Sequence, residues 1–242
     1  MEASIRMARI NIDNSVQGAV YRALKEAILE LQLAPGTVMS TQEMATRLNV
    51  SRTPVREAFI RLQREGLVDI VPQRETMVSR IDLDRVEQER FIRESLELPV
   101  VDLFLAKCRP EHFTELRELI EQQKQCHKEH RWADFVHCDN QLHKLLFDVA
   151  GQRLAWDTIM SVNGHYNRIR ILTVQNEDTI VGAIRQHIKI VDLLEHGEHE
   201  TARRELTDHI KKINYEKTDL IKLHPEYFKT GDEPVGIRIG SL

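Results

Sequence analysis

The 242-residue chain has no apolar run of membrane-spanning length and no stretch that reads as a secretion signal. It has no internal repeat and no low-complexity tract. Cysteine is scarce: Cys108, Cys126 and Cys138 are an odd number without metal-finger spacing. These absences argue against a membrane protein, a disulfide-stapled secreted domain and a zinc finger. They leave a protein of a reduced, cytoplasmic compartment, and 41% hydrophobic residues supply a core for one large or two modest domains. Charge is uneven. Residues 1–80 carry 11 Lys and Arg against 9 Asp and Glu, so the total of −4 divides into +2 and −6. A mildly basic N-terminal module on an acidic body is compatible with DNA binding.

The chain is organised around residues 49–68, NVSRTPVREAFIRLQREGLV. Ser51 or Thr53 can cap a helix whose first turn holds Pro54, where a missing N–H costs nothing. Arg52 and Arg56, at i and i+4, share one face. Ala58, Phe59, Leu62 and Leu67 form the other. Arginines at the exposed start of a helix with a buried back suit a reading helix in the major groove, because the guanidinium fork matches guanine O6 and N7. An ordinary amphipathic surface helix is the alternative from this stretch alone. Its neighbours favour the first reading. Ser15 opens a helix with Val16, Ala19, Val20, Leu24, Ala27 and Ile28 inward. Residues 34–37 (APGT) form a turn. A short helix starts at Thr41 and ends at Asn49, which tolerates a left-handed backbone. LVDIV and MVSRI, around a polar turn at 72–76, predict a β-hairpin. Three helices and a hairpin make a winged helix-turn-helix over residues 1–81, followed by a linker at 82–86.

Residues 87–223 read as helix throughout, an all-α bundle with six expected segments at 86–107, 110–127, 132–150, 154–174, 179–196 and 198–223. Residues 224–242 read as an irregular tail. Most of the eleven histidines sit among charges. Three do not. His143 is in phase with Val136 and Phe147, His187 with Ile184 and Val191, His209 with Leu206 and Ile213. Asp139, four residues before His143, is in phase with Phe135, Leu142 and Leu146. A buried carboxylate needs a partner or a metal. Three imidazoles and one carboxylate suit a divalent transition ion with open positions. Core histidines bonded to carbonyls, with Asp139 paired to one of them, are the alternative. Arg93 is in phase with Leu96 and Val100, pointing inward, and could also pair with Glu97. Asn163 and Arg170, seven apart, share a face in an unbroken helix; a solvated face or a dimer surface is the other reading.

Residues 16–81 resemble the winged helix-turn-helix of the GntR family of bacterial transcription regulators. APGT at 34–37, VSRTPVREA at 50–58 and REGLV at 64–68 carry the resemblance. One departure lies at the wing tip, where the family usually has Arg-Gly and this chain has Arg74-Glu75-Thr76, a carboxylate where phosphates would approach. The helical body resembles the FCD ligand domain of the FadR branch. DNQLH at 139–143, RQHIKI at 185–190 and TDHIKK at 207–212 match the family's metal positions. FVHCDNQLH and RQHIKIVDLL are most like repressors linked to sugar-acid metabolism.

The resemblance implies a homodimeric repressor on a short palindromic double-stranded DNA operator. Arg52, Thr53 and Arg56 would read bases, with Gln42 and Arg74 assisting. Asp139, His143, His187 and His209 would hold zinc, or nickel or manganese. Arg93, Asn163 and Arg170 would meet a small carboxylate effector such as a sugar acid. A metal-dependent hydrolase is the rival, since such sites also activate water; no HExxH is present. An architectural DNA binder with a structural metal is the second.

Overall fold

A computed structural model describes residues 15–71 and 75–230; for 214–217 only the backbone is described. The chain forms two compact units. The first comprises residues 1–83 together with 224–242, the second 84–223.

The first unit begins with α1 (Val16–Leu29), capped by the Ser15 hydroxyl, which accepts from the Gly18 N–H at 3.3 Å. Val16, expected inward, is half exposed at the helix start. Strand β1 (Val38–Met39) leads into α2 (Thr41–Leu48), whose Ser40 cap accepts from Glu43 N–H at 3.0 Å. Asn49 closes α2 with a left-handed φ of 52°, turning the chain into α3 (Arg52–Arg64). The N-cap position of α3 is Ser51, which makes no side-chain capping bond. Strands β2 (Val68–Val71) and β3 (Glu75–Val78) pair antiparallel, with Val68 opposite Val78. Strand β1 joins the far side of β3, giving the order β1-β3-β2. Leu24, Ile28, Met44, Leu48, Val55, Phe59 and Leu62 bury their side chains in one core with Val78 of the wing. This is the expected winged helix-turn-helix. Arg74 lies outside the described residues.

The C-terminal segment differs from expectation. Residues 224–230 do not dangle but belong to the N-terminal unit. After a short 3-10 turn, Pro225–Tyr227, Phe228 is buried and bridges Ile81 in parallel. The Ile81 N–H donates to Tyr227 O at 2.8 Å, and the Lys229 N–H to Ile81 O at 2.9 Å. Arg80 Nε donates to Glu226 O at 3.1 Å. The physical reason is Phe228: an apolar side chain in a Pro-containing tail finds a place to be buried. The linker expected at 82–86 is also shorter, because helix begins at Leu83.

The second unit is all helix: α4 (Leu83–Leu105), α5 (Pro110–Lys128), α6 (Trp132–Ala150), α7 (Arg153–Val162), α8 (Gly164–Thr173), α9 (Glu177–Glu195), α10 (His199–Lys211) and α11 (Ile213–Leu223). Two segments expected as single helices are each divided. The 154–174 segment breaks at Asn163. There the buried carboxylate of Glu89, on α4, accepts the N–H groups of His165 and Tyr166, both at 2.8 Å. Those donors would point at carbonyls in a continuous helix; here Glu89 starts a new one. The 198–223 segment tightens at Lys212, whose N–H turns to the His209 carbonyl three residues back. No helix of the described residues is long and apolar enough to cross a membrane.

The Phe228 bridge has a testable consequence. Phe228→Ala should destabilise the N-terminal unit by about 3–5 kcal/mol, the usual loss for a buried phenylalanine. Hydrogen exchange at the Ile81 and Lys229 amides should speed up with it; unchanged exchange would contradict the anchoring.

Candidate metal centre and DNA-reading surface

In the first unit, the residues expected at DNA lie on one face. Arg52, Thr53 and Arg56 are all exposed at the start of α3, while Val55, Ala58 and Phe59 are buried behind them. Gln42 on α2 is exposed too, and its Oε1 accepts from Arg52 Nε at 2.5 Å. Gln42 thus holds the Arg52 side chain in place. Farther along α3 the chain secures its back to α1. Tyr21 Oη and Lys25 Nζ donate to Glu65 at 2.5 and 2.7 Å, and the Arg61 guanidinium lies 3.6 Å above the Tyr21 ring.

In the second unit, three helix faces converge. α6 brings Asp139 and His143 on successive turns, α9 brings His187 and α10 brings His209. One donor atom from each lies within 4.8 Å of all the others. His187 Nε2 is 3.2 Å from His209 Nε2 and 3.3 Å from Asp139 Oδ1; His143 Nε2 is 3.6 Å from Asp139 Oδ2. Ligands bonded to one ion at about 2.0–2.2 Å lie roughly 3–3.5 Å apart, so the spacing fits an ion's coordination shell.

Each imidazole is oriented from behind. His143 Nδ1 donates to Glu97 at 2.7 Å, His187 Nδ1 to Gln123 at 2.8 Å, and His209 Nδ1 to Gln186 at 3.3 Å. With Nδ1 protonated, every Nε2 lone pair faces inward. Lone pairs that face one another and a carboxylate in a dry interior repel, and a cation among them removes the repulsion. His143 Nε2 is buried without a hydrogen-bond partner among the described residues.

Ionisation fits the same chemistry. Burial pushes His187 down, and burial with the neighbouring His187 holds His209 well below the usual imidazole range. Burial would raise the Asp139 carboxyl, but the Arg170 guanidinium beside it outweighs burial and holds it well below the usual carboxylate range. Neutral imidazoles and an ionised carboxylate are the forms that bind metal.

Around this cluster lie cations. Arg170 donates to Asp139 Oδ2 and, at 2.8 Å, to Asn140. Arg93 is buried; its Nε donates to Glu97 at 2.5 Å, which realises the pair expected from their i, i+4 spacing. Its Nη2 lies 3.7 Å from Asp139 Oδ2 and has no hydrogen-bond partner among the described residues. Both guanidinia lie near the Tyr166 ring, at 5.6 and 5.7 Å. A cavity of about 50 Å³ opens beside them, lined by Asp139, Tyr166, Arg170, His209 and Lys212 with apolar walls. Asn163 is not brought to it. The break before α8 turns Asn163 away from Arg170, and its amide donates to Met160 Sδ instead. Sequence periodicity picked out the four residues that cluster here and both arginines. It missed Gln123, Gln186, Tyr166 and Lys212; the only signal for them was a polar residue in phase with a buried face.

Comparisons with known proteins place both units in a family. Residues 16–78 match the model of bacterial regulatory proteins of the gntR family, and residues 90–212 match the FCD domain. The HTH-type transcriptional repressor RspR of Escherichia coli K12 is 30% identical over 220 residues, covering 91% of this chain and 96% of that protein. An HTH-type regulator from an unstable DNA locus of Streptomyces ambofaciens is 33% identical, covering 90% and 92%. The solved structure of E. coli McbR/YncC superposes with a TM-score of 0.71 at 20% identity, over 88% of this chain and 99% of that one. The chain belongs to the GntR family, with an FCD domain as its second unit. It is a DNA-binding transcriptional regulator and not an enzyme; the hydrolase reading finds no support.

The buried pair generates a stability test. Glu97→Ala would leave the buried Arg93 guanidinium without its hydrogen-bonded partner, with Asp139 at 3.7 Å already bonded to Arg170. We expect a loss of about 3–5 kcal/mol in urea unfolding, as for a broken buried ion pair. A loss under about 1 kcal/mol, the value of an exposed pair, would show that solvent reaches Arg93.

Proposed function

We propose that the chain is a cytoplasmic, homodimeric repressor whose hold on a short palindromic operator is set by a small carboxylate, a sugar acid being one example. Arg52, Thr53 and Arg56 contact base edges, and Gln42 steadies Arg52. Asp139, His143, His187 and His209 hold one divalent ion, zinc first, with nickel and manganese as the other candidates. Such an ion would offer open coordination positions to an acid. Arg93 and Arg170, beside the cluster, supply forked donors for the same carboxylate. The observation that carries this reading is the convergence of four inward candidate ligand atoms, the three imidazoles oriented from behind, next to a cavity lined by Arg170. An architectural DNA binder would have no use for that cavity. The relatives' names support the sign of regulation: RspR is a repressor, and a Paenarthrobacter nicotinovorans relative, 26% identical, is named a probable xylose-operon repressor. A ligand changes DNA affinity only if it binds one arrangement of the protein more tightly than another.

The DNA assignment is tested by Arg52→Ala and Arg56→Ala. Each should weaken binding to a fragment selected by the protein by about 1–3 kcal/mol and blunt discrimination from random DNA, as for a lost bidentate base contact. Unchanged discrimination in both would refute it.

The metal assignment is tested by elemental analysis. Wild type should retain one equivalent of zinc after dialysis, and His187→Ala and His209→Ala should not. Full retention in both variants would make these core histidines. In zinc-loaded protein, an effector acid should change operator affinity about 5–150-fold, the range of a typical coupling energy.

A further inference from the structure

Gln123 Nε2 and His127 Nδ1, both on α5, are buried nitrogens without a hydrogen-bond partner among the described residues. Four residues apart on one helix, their side chains stand on the same face, one turn from each other. Each is engaged at its other end. Gln123 Oε1 accepts from His187 Nδ1, on α9, at 2.8 Å. His127 Nε2 lies 3.2 Å from Glu177 Oε1, in the first turn of the same α9. Gln123 is fully buried, whereas the Glu177 side chain is exposed. A polar path therefore runs from a surface carboxylate to a candidate metal ligand, and its middle step lies between the two unpartnered nitrogens.

A glutamine amide can present either of its ends to a histidine. With the oxygen toward His187, the imidazole carries its proton on Nδ1, and the Nε2 lone pair faces His209 and Asp139, 3.2 and 3.3 Å away. With the amide turned over, its NH2 would donate to Nδ1, the ring proton would sit on Nε2, and that nitrogen could not bind a cation. Asp139 favours this second arrangement, because its Oδ1 would accept a proton placed on His187 Nε2. The orientation of Gln123 thus decides whether His187 can act as a ligand. A buried amide N–H left unmatched is costly, so the acceptor it finds sets which way the amide points. His127 can be that acceptor. A carboxylate only accepts, so Glu177 draws the His127 proton to Nε2 and leaves a lone pair on Nδ1.

We infer that His127 is a positioning residue for the candidate metal centre: through one buried water it accepts from Gln123 Nε2, which keeps the Gln123 oxygen on His187 and the His187 lone pair turned inward. The water has the two polar partners it requires, an amide N–H and an imidazole lone pair. Side chains four apart on a helix have Cβ atoms about 5–6 Å from each other, a span that two hydrogen bonds in series can bridge. This rests on the metal reading above and deepens it. It gives a role to a histidine outside the ligand cluster, and it makes the tautomer of a buried ligand depend on Glu177 at the surface. Removing His127 would leave all four ligand residues in place and change only where one of them keeps its proton.

The test combines a spectroscopic reading with zinc affinity, both on the full-length chain. In zinc-free protein carrying nitrogen-15 histidine, the His187 ring signals, assigned by their loss in His187→Ala, should report a proton on Nδ1. In His127→Phe the proton should move to Nε2. Zinc affinity, measured by competition with a chelating dye, should fall about tenfold in His127→Phe, the lower end of the usual cost of losing an outer-shell partner. Gln123→Glu presents an oxygen at both ends and has no orientation left to choose. The double variant Gln123→Glu with His127→Phe should therefore bind zinc as tightly as Gln123→Glu alone. A loss that persists in the double variant would mark a packing defect and overturn the inference. So would a His187 proton on Nε2 in wild type, or the same tautomer in wild type and His127→Phe. If wild type takes up no zinc, the metal reading falls by itself, and the tautomers of the zinc-free proteins still decide the role of His127.

Discussion

The second unit depends on a negative charge placed where water cannot reach it. Asp139 is buried at 4% exposure, and an isolated carboxylate there would take up a proton rather than stay charged. Arg170, donating to one oxygen, keeps it ionised. Satisfying Asp139 draws in three helices besides its own: α8 through Arg170, α9 through His187, and α4 through Arg93. Glu97 then neutralises Arg93 and orients His143, so the network closes on itself. Such a network is costly to break at any one member, which gives the bundle a single arrangement of its ligand-bearing faces.

The body's main features were legible because burial leaves a periodic trace. Asp139 and His143 stand out as polar residues in phase with Phe135, Leu142 and Phe147, and the structure brings them together. The arginines of α3 were legible for the opposite reason: they interrupt an amphipathic helix only on its exposed side. What could not be read was any contact between distant segments. Asn163-Gly164 is the one local signal of the break, set against a helical periodicity that runs through it, and the acceptor that starts α8 is Glu89, far upstream. Gln123 and Gln186 sit in ordinary polar runs, and only the fold shows that they face imidazoles. Gly182 looks like a weak point in a helix until Lys212 is placed against it.

The two units follow different physical logic. The first is held by an ordinary apolar core and leaves its arginines in solvent, where they remain free to exchange water for another polar partner. The second buries charge upon charge, and its cations and anions nearly balance inside. A DNA-binding protein needs the first, a surface ready for a polyanion; the second fixes the arrangement of the helical body.

The pairing of Ile81 with Phe228 makes the winged unit discontinuous in sequence. On the ribosome, its first eighty residues emerge long before the segment that completes it. A chain whose synthesis stops within the helical body therefore lacks the last piece of its own DNA-binding unit. The protein acquires a finished DNA-binding unit only after the whole helical body has been made, so a truncated chain carries an incomplete one.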